Sequence, residues 1–287
     1  MEFFSQSRVV MLILTQPLFM KQLPQSSWNL AQYEKFKKER SQPFWDLLAL
    51  IPPHPKRRIL DLGCGSGELT QQAHQRLEAR ETLGIDSSDT MLEKSHSFKN
   101  SSLHFMQGDI NILDEENPFG LKIQGPFDLI LSNAALQWVP EHERIFLFLR
   151  NLLSEKGEIA IQVPSNYYHP SHRIAFEMAE TSPFKEALNG YRPPQSVLAP
   201  EAYAQLLYHL GFQEQLVRQQ VYPHFLASRE DIVEWIKGTW LTAYKERLPE
   251  KLYDLLLANY QKALFAELPE QGPIFYPFKR TFLWARR

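Results

Sequence analysis

Asp61-Leu62-Gly63-Cys64-Gly65-Ser66-Gly67 places one carboxylate ahead of three glycines at alternate positions. Glycine lets a backbone approach a ligand closely and adopt positive φ. A helix start just beyond such a loop offers unpaired N–H groups. A second carboxylate, Asp86, stands one strand–helix unit later, where it can accept hydrogen bonds from both hydroxyls of a ribose. A third, Asp109, follows the next apolar segment and can face an adenine edge. Carboxylates at three successive strand ends make a crevice that seeks hydroxyls and amines. The glycines run G-x-G-x-G, not the G-x-G-x-x-G of dinucleotide sites. The acid before them repels a diphosphate and suits an ammonium group. No phosphate-loop motif is present.

These residues need a scaffold, and the flanking pattern supplies one. Short apolar segments at 58–62, 82–86, 103–106, 127–131 and 158–163 alternate with helical stretches at 69–79, 89–97 and 143–153. That alternation predicts an α/β fold with a parallel sheet covered on both faces. Residues 28–51 read as one or two helices, broken by Pro52, Pro53 and Pro55. Residues 164–199 read as irregular, 201–210 as a helix closed by Gly211, and 212–226 as a long strand. Residues 228–268 read as mostly helix with Ser228 as N-cap, and 275–284 as a closing strand.

The chain has 287 residues, 44% of them hydrophobic, and a net charge of −2. That is ample for one large domain and argues against a nucleic-acid partner, which selects for a basic excess. A lone cysteine, Cys64, excludes an internal disulfide and a cysteine-based zinc site, and no spacing of His, Asp and Glu predicts a metal. The apolar run at 9–14 is shorter than the ~20 residues of a membrane span. Residues 1–24 read as a poorly ordered tail or as lying upstream of the true start, with Met20 available. The expectation is a cytoplasmic monomer without a membrane or nucleic-acid partner.

Four motifs in order, D-L-G-C-G-S-G, L-G-I-D-S-S-D-T-M-L, Q-G-D-I and F-D-L-I-L-S-N-A-A-L-Q-W, resemble the class I S-adenosylmethionine-dependent methyltransferases. The resemblance spans about residues 57–163. It implies a doubly wound, seven-stranded, mostly parallel Rossmann-like sheet whose last strand is antiparallel, with S-adenosyl-L-methionine as cofactor. It also implies that Asp61 and Gly63 lie by the methionine part and that Asp86 binds ribose. Asp109 and Ile110 would flank adenine, Ser87 and Met91 would line the adenine side, and Asn133 and Ala134 would lie by the sulfonium. Gly65 and Gly67 complete the loop.

Shorter patches, among them Trp28-Asn29, Tyr33, Glu39-Arg40-Ser41, the run from Asn133 to His142, Pro170-Ser171-His172 and Val221-Tyr222-Pro223-His224, resemble the trans-aconitate 2-methyltransferase family. This implies a single methyltransferase domain at 25–287. Its parts are lid helices at 25–51, a cofactor core at 57–163 and substrate-cap insertions at 164–199 and 228–270. Tyr33 and Arg40 would reach the cofactor from the lid. The implied acceptor is a small polycarboxylate. Such a group is already ionised at neutral pH, so it needs no general base. It needs fixed cations and hydroxyl or imidazole donors. By position, the candidates are Trp138, Tyr168, His172, Arg173, Tyr222, His224 and Arg280, with Gln137 and Trp138 as positioning groups. Trp235 reads as core of the cap. Malonyl-[acyl-carrier-protein] or another small molecule stays open as acceptor. So do a nucleic-acid or protein methyltransferase and a non-catalytic cofactor-binding protein.

Overall fold

The computed structural model describes the backbone of residues 37–287 and the side chains from Ser41 onward. The expected tail at 1–24, Tyr33, and the side chain of Arg40 lie outside the described residues. In chain order the helices are α1 (Lys37–Leu48), α2 (Glu68–Arg76), α3 (Asp89–Ser95), α4 (His142–Leu152) and α5 (Pro170–Ala179). They continue with α6 (Phe184–Ala187), α7 (Pro200–His209), α8 (Arg229–Lys237), α9 (Thr242–Lys245) and α10 (Glu250–Glu267).

The strands are β1 (Arg58–Leu62), β2 (Glu81–Asp86), β3 (Leu103–Gln107), β4 (Phe127–Asn133), β5 (Leu153–Pro164), β6 (Glu214–Leu226) and β7 (Ile274–Arg286). They form one seven-stranded sheet of order β3-β2-β1-β4-β5-β7-β6. The first five pair in parallel, and β7 runs antiparallel to both β5 and β6. This is the Rossmann-like α/β sheet expected from the motifs.

Strand alternation explains both faces. Ile59, Leu129, Leu131, Ala160 and Phe282 point to one side, where Phe44 and Leu47 of α1 and Ala73 of α2 cover them. The intervening Leu60, Leu62, Ile130, Ile159, Ile161 and Leu283 point to the other, against Ile145 and Leu149 of α4 and Tyr203 and Leu207 of α7. Side chains on a strand alternate faces, so two covered faces require the near-continuous apolar strands seen here.

The helices that follow β5 and β6 build a separate cluster. Ile174 of α5, Ile232, Trp235 and Ile236 of α8, Tyr244 of α9 and Leu256, Tyr260 and Leu264 of α10 pack together. They meet Leu226, Ile274, Tyr276 and Phe278. Those last residues belong to the part of the β6–β7 hairpin that continues past the end of β5. β7 pairs with β5 only over Arg280–Arg286 but with β6 over its whole length.

Three local expectations are corrected. Residues 164–199 contain the regular helix α5. Pro170 stands at its first position, where its missing N–H is harmless, and His169 caps it by accepting from Ser171 N. Ser228 stands at the N-cap of α8 without a side-chain cap, its hydroxyl being drawn to Glu230 instead. β3 ends at Gln107, so Asp109 lies beyond the strand rather than on it.

Beyond the apolar faces, one buried charge cluster ties three strands together. Arg57, just before β1, reaches Glu158 of β5 at 3.1 Å, and both side chains are almost wholly buried. Glu158 also accepts from Trp284 Nε1 at 3.1 Å and Arg286 Nε at 3.1 Å, both on β7. Glu158→Ala therefore leaves Arg57 buried and uncompensated. It should cost about 3–5 kcal/mol of stability, read from urea denaturation. A loss below about 1 kcal/mol contradicts this assignment.

Candidate active site

The carboxyl ends of β1, β2, β4 and β5 lie along one edge of the sheet, and a cavity runs along that edge. Its lining includes Gly63, Gly65, Asp86, Ser87, Met91, Asp109 and Ile110 toward β3. Asn133, Ala134, Ala135, Gln137, Trp138 and Val139 line its middle. Pro164, Asn166, Tyr167, His172, Trp235, Thr239, Trp240, Phe278 and Arg280 line it toward β7. Four inter-strand steps separate β2 from β7, which at about 4.8 Å each gives a reach of roughly 19 Å. That suits two reactants laid end to end.

The loop after β1 is fixed from both sides. Gly63 N and Cys64 N donate to Ile85 O at 2.8 and 3.0 Å. Gly63 has φ +76°, and a Cβ there would lie 2.2 Å from that of Ala135. Only glycine lets this backbone pass the turn after β4. Asp86 holds the far side of the loop. Its Oδ2 accepts from Gly65 N and its Oδ1 from Ser88 N, each at 2.9 Å. Burial pushes its pKa up, and the N–H groups of Ser88, Gly65 and Ser87 pull it back. The carboxylate lines the cavity with acceptor capacity left over.

Two of the expected loop residues are placed beneath the cavity rather than in it. Asp61 is 4% exposed, and its Oδ2 accepts from Thr70 Oγ1 of α2 at 2.6 Å. Burial raises its pKa to about 7, against the lowering effect of Thr70 and with the Asp86 charge adding to the rise. Gly67 stands at the start of α2, where a Cβ would press within 2.8 Å of Ser95 and Phe105. Asp109 lines the cavity, but its Oδ1 is occupied by Asn111 N and Nδ2 at 2.9 and 2.8 Å.

The acceptor-side candidates divide. Gln137, Trp138, His172 and Arg280 line the cavity. Tyr168, Arg173, Tyr222 and His224 do not. Tyr168 is 90% exposed, while its neighbour Tyr167 lines the wall. Arg173 is taken up at the surface by Glu177 and Glu267 at 2.9 and 2.7 Å. Tyr222 donates to Asp46 of α1. His224 packs behind the wall, 5.0 Å from the Trp235 ring, and Trp235 thus serves both cap core and cavity. Asn166, Tyr167, Thr239 and Trp240 carried no sequence signal that set them apart from their neighbours.

The β7 end is an aromatic box with a cation. Trp138 and Trp240 stack at 5.8 Å and 28°, and Tyr167 and His172 lie 5.5 and 5.7 Å from Trp240. Arg280 is 4% exposed, with its guanidinium 4.9 Å from the Phe278 ring centre and a 3.2 Å bond to the Gln162 amide oxygen. His172 is held neutral, its pKa lowered to about 3 by burial and by His169. Among the described residues no group of His, Cys, Asp and Glu could hold a metal ion, and no helix is long and apolar enough to cross a membrane.

Residues 53–211 match the methyltransferase domain family. Trans-aconitate 2-methyltransferase of Deinococcus radiodurans is 40% identical over 91% of this chain and 98% of its own length. The chain belongs to the methyltransferase family. The methyltransferase is also 34% identical to trans-aconitate 2-methyltransferase of Shigella dysenteriae, over 91% of this chain and 99% of that one. In fold it is similar to the YcgJ protein of Bacillus subtilis, with a TM-score of 0.56 at 13% identity over 86% of this chain and 98% of the other. It is an S-adenosylmethionine-dependent enzyme.

The residues present fit that cofactor. Asn133 Oδ1 and Gln137 Oε1 are buried acceptors without a partner, both on residues that line the cavity. They match an ammonium donor, as Asp86 matches ribose hydroxyls. Asp86→Ala removes the acceptor and loosens Gly65. It should weaken cofactor binding at least roughly 100-fold, given about 1.5–3 kcal/mol per bond to a charged group. Tyr168→Ala should leave calorimetric affinity within about twofold, as surface changes do. Asp61 gives a pH signature. Its folded pKa, about 7, lies above the 3.8 of a free aspartate side chain, so the folded chain holds an extra proton between those limits. Stability should then fall as pH rises through that window. In Asp61→Asn the slope, read from denaturation between pH 5 and 8, should be shallower; an unchanged slope contradicts the assignment.

Proposed function

We propose that this enzyme methylates a carboxylate of a small polycarboxylic acid, with trans-aconitate as the best candidate acceptor. The observation that carries the reading is the buried Arg280 in the wall of the cavity, beside aromatic and neutral polar groups. Two relatives named for trans-aconitate support the choice.

Arg280 supplies a charged, planar donor set of the kind that grips a carboxylate through two hydrogen bonds. Asn166 Nδ2 and Tyr167 OH are buried without partners and belong to cavity-lining residues. They are the neutral donors expected around a second carboxylate. Asn166 is held in place because its Oδ1 accepts from Lys279 N at 3.2 Å. Asp86, Asn133 and Gln137 would hold the cofactor. When bound, S-adenosylmethionine supplies an electrophilic methyl group that a carboxylate oxygen takes without losing a proton.

This accounts for a β7 end of the cavity that offers, among the described residues, no working base. His172, with its pKa near 3, is too weak a base to serve at neutral pH, and a carboxylate acceptor asks for none. The chain contributes by orientation and by excluding water with Trp138, Trp240 and Phe278. Orientation of two reactants can be worth about 7–11 kcal/mol.

The test is radiolabelled methyl transfer to a panel of polycarboxylates. The expected product is a base-labile methyl ester, with trans-aconitate among the best acceptors; its absence with every polycarboxylate overturns the reading. Arg280→Ala should raise the acceptor KM roughly 10- to 100-fold, the range set by about 1.5–3 kcal/mol for a charged hydrogen bond.

A further inference from the structure

The turn after β4 supplies the middle of the cavity, and from within it is held by Gln137 Nε2, which donates to Ala134 O at 2.7 Å, and by one short backbone turn. Ala134 has φ +55°, in the left-handed region that disfavours a side chain. Residues Leu136–Trp138 make one 3₁₀ turn, closed by Trp138 N to Ala135 O at 3.1 Å and Val139 N to Leu136 O at 2.9 Å. A single turn of this kind has weak internal hydrogen-bond geometry, so its placement depends on what grips its carbonyls.

Two groups outside the cavity do so. Ser196 Oγ donates to Val139 O at 2.5 Å. His142, at the start of α4, bonds Leu136 O through Nε2 at 2.9 Å. A carbonyl only accepts, so Nε2 carries the ring proton. Nδ1 of the neutral ring is then an acceptor, and Tyr203 OH donates to it at 2.6 Å. The Leu198 backbone N–H faces the same hydroxyl oxygen, which leaves the hydroxyl proton for His142. Both side chains are fully buried, with Tyr203 on α7. Burial also lowers the His142 pKa, which keeps the ring in the neutral form this chain of bonds requires.

We propose that Tyr203 and His142 form a positioning pair that sets Trp138 against the bound acceptor, while Gln137, tied to Ala134 O by its own Nε2 at 2.7 Å, keeps its place toward the cofactor. Helix α7 lines no part of the cavity, and this pair gives it a route to the reaction. The energetic reason is geometric: a misplacement of about 1 Å in a positioning group can cost roughly 100-fold in rate.

Three variants of the full chain test it. Tyr203→Phe removes the donor, His142→Ala removes both bonds, and His142→Gln restores both, since its amide N–H can reach Leu136 and its oxygen can accept from Tyr203. kcat is measured per cofactor-competent site, counted by calorimetry with S-adenosylhomocysteine. Amide exchange is followed in residues 133–139 and, as control, in α4. Tyr203→Phe should lower kcat roughly tenfold and His142→Ala roughly 30- to 100-fold, with cofactor Kd held within about threefold. His142→Gln should recover kcat to within about threefold of the parent, and exchange should quicken at 133–139 ahead of α4. Unchanged kcat per competent site in Tyr203→Phe, or exchange that rises equally in both segments, overturns the proposal. If His142→Ala does not fold, Tyr203→Phe decides alone. The activity arm rests on the methyl-transfer reading. The exchange arm does not, so failure to find an acceptor and failure of the pair are separable.

Discussion

β1 is hydrogen-bonded in parallel to β2 on one side and β4 on the other, with Asp61 opposite both Gly84 and Leu131. Parallel pairing forces the carboxyl ends of the three strands onto one edge. Everything chemical in this protein is a consequence of that register. Asp86 ends its strand beside the glycine loop because Leu62 pairs with Ile85. The turn after β4 meets Gly63 at van der Waals contact because β4 ends on the same edge. A slip of one residue would reverse every side chain on the strand and exchange its two apolar faces. The two buried clusters that sandwich the sheet therefore fix the site as firmly as its own hydrogen bonds do.

The cavity that results is electrically divided along its length. Its β2–β3 end holds acceptors: the Asp86 carboxylate, and further along the amide oxygens of Asn133 and Gln137. Its β7 end holds donors: Arg280, the Asn166 amide and the Tyr167 hydroxyl. An ammonium and hydroxyls are welcome at one end and a carboxylate at the other. The low-dielectric aromatic wall between them strengthens both preferences. Arg280 is buried and Asp86 half-buried, yet the sheet holds them several strands apart, so neither neutralises the other.

The cofactor half was legible in the sequence because its logic is local. A strand, a glycine loop and a helix start follow one another within a few residues, and the carboxylates recur at strand ends. The acceptor half was legible only in part. His172 was placed by its position after the fifth strand and Arg280 by its place in the closing segment, but Tyr168 was preferred to Tyr167, and adjacent tyrosines in a loop have no periodicity to separate them. Tyr222 and His224 do face the interior, as their place on β6 demands. Other partners claim them: Asp46 takes the tyrosine hydroxyl, and Trp235 covers the imidazole. Asn166, Trp240 and Thr239 join the wall through packing between segments far apart in the chain, which no short window encodes. The motif from Asn133 to His142 carried more than expected. Its last residue, His142, works at a distance from the ligand-lining residues with which it was read.

The overhanging part of the β6–β7 hairpin makes cap and sheet a single mechanical piece. β7 begins among cap residues at Ile274, passes the cavity wall at Phe278 and Arg280, and ends in the sheet core beside β5. With Arg280 as the proposed anchor, acceptor recognition is written into a structural strand and not into a detachable lobe. Exchange of the segments 164–199 and 228–270 between relatives, with β7 left behind, would bring a new aromatic wall against an old arginine. Changes of acceptor in such a protein are therefore coupled, with wall and anchor altering together.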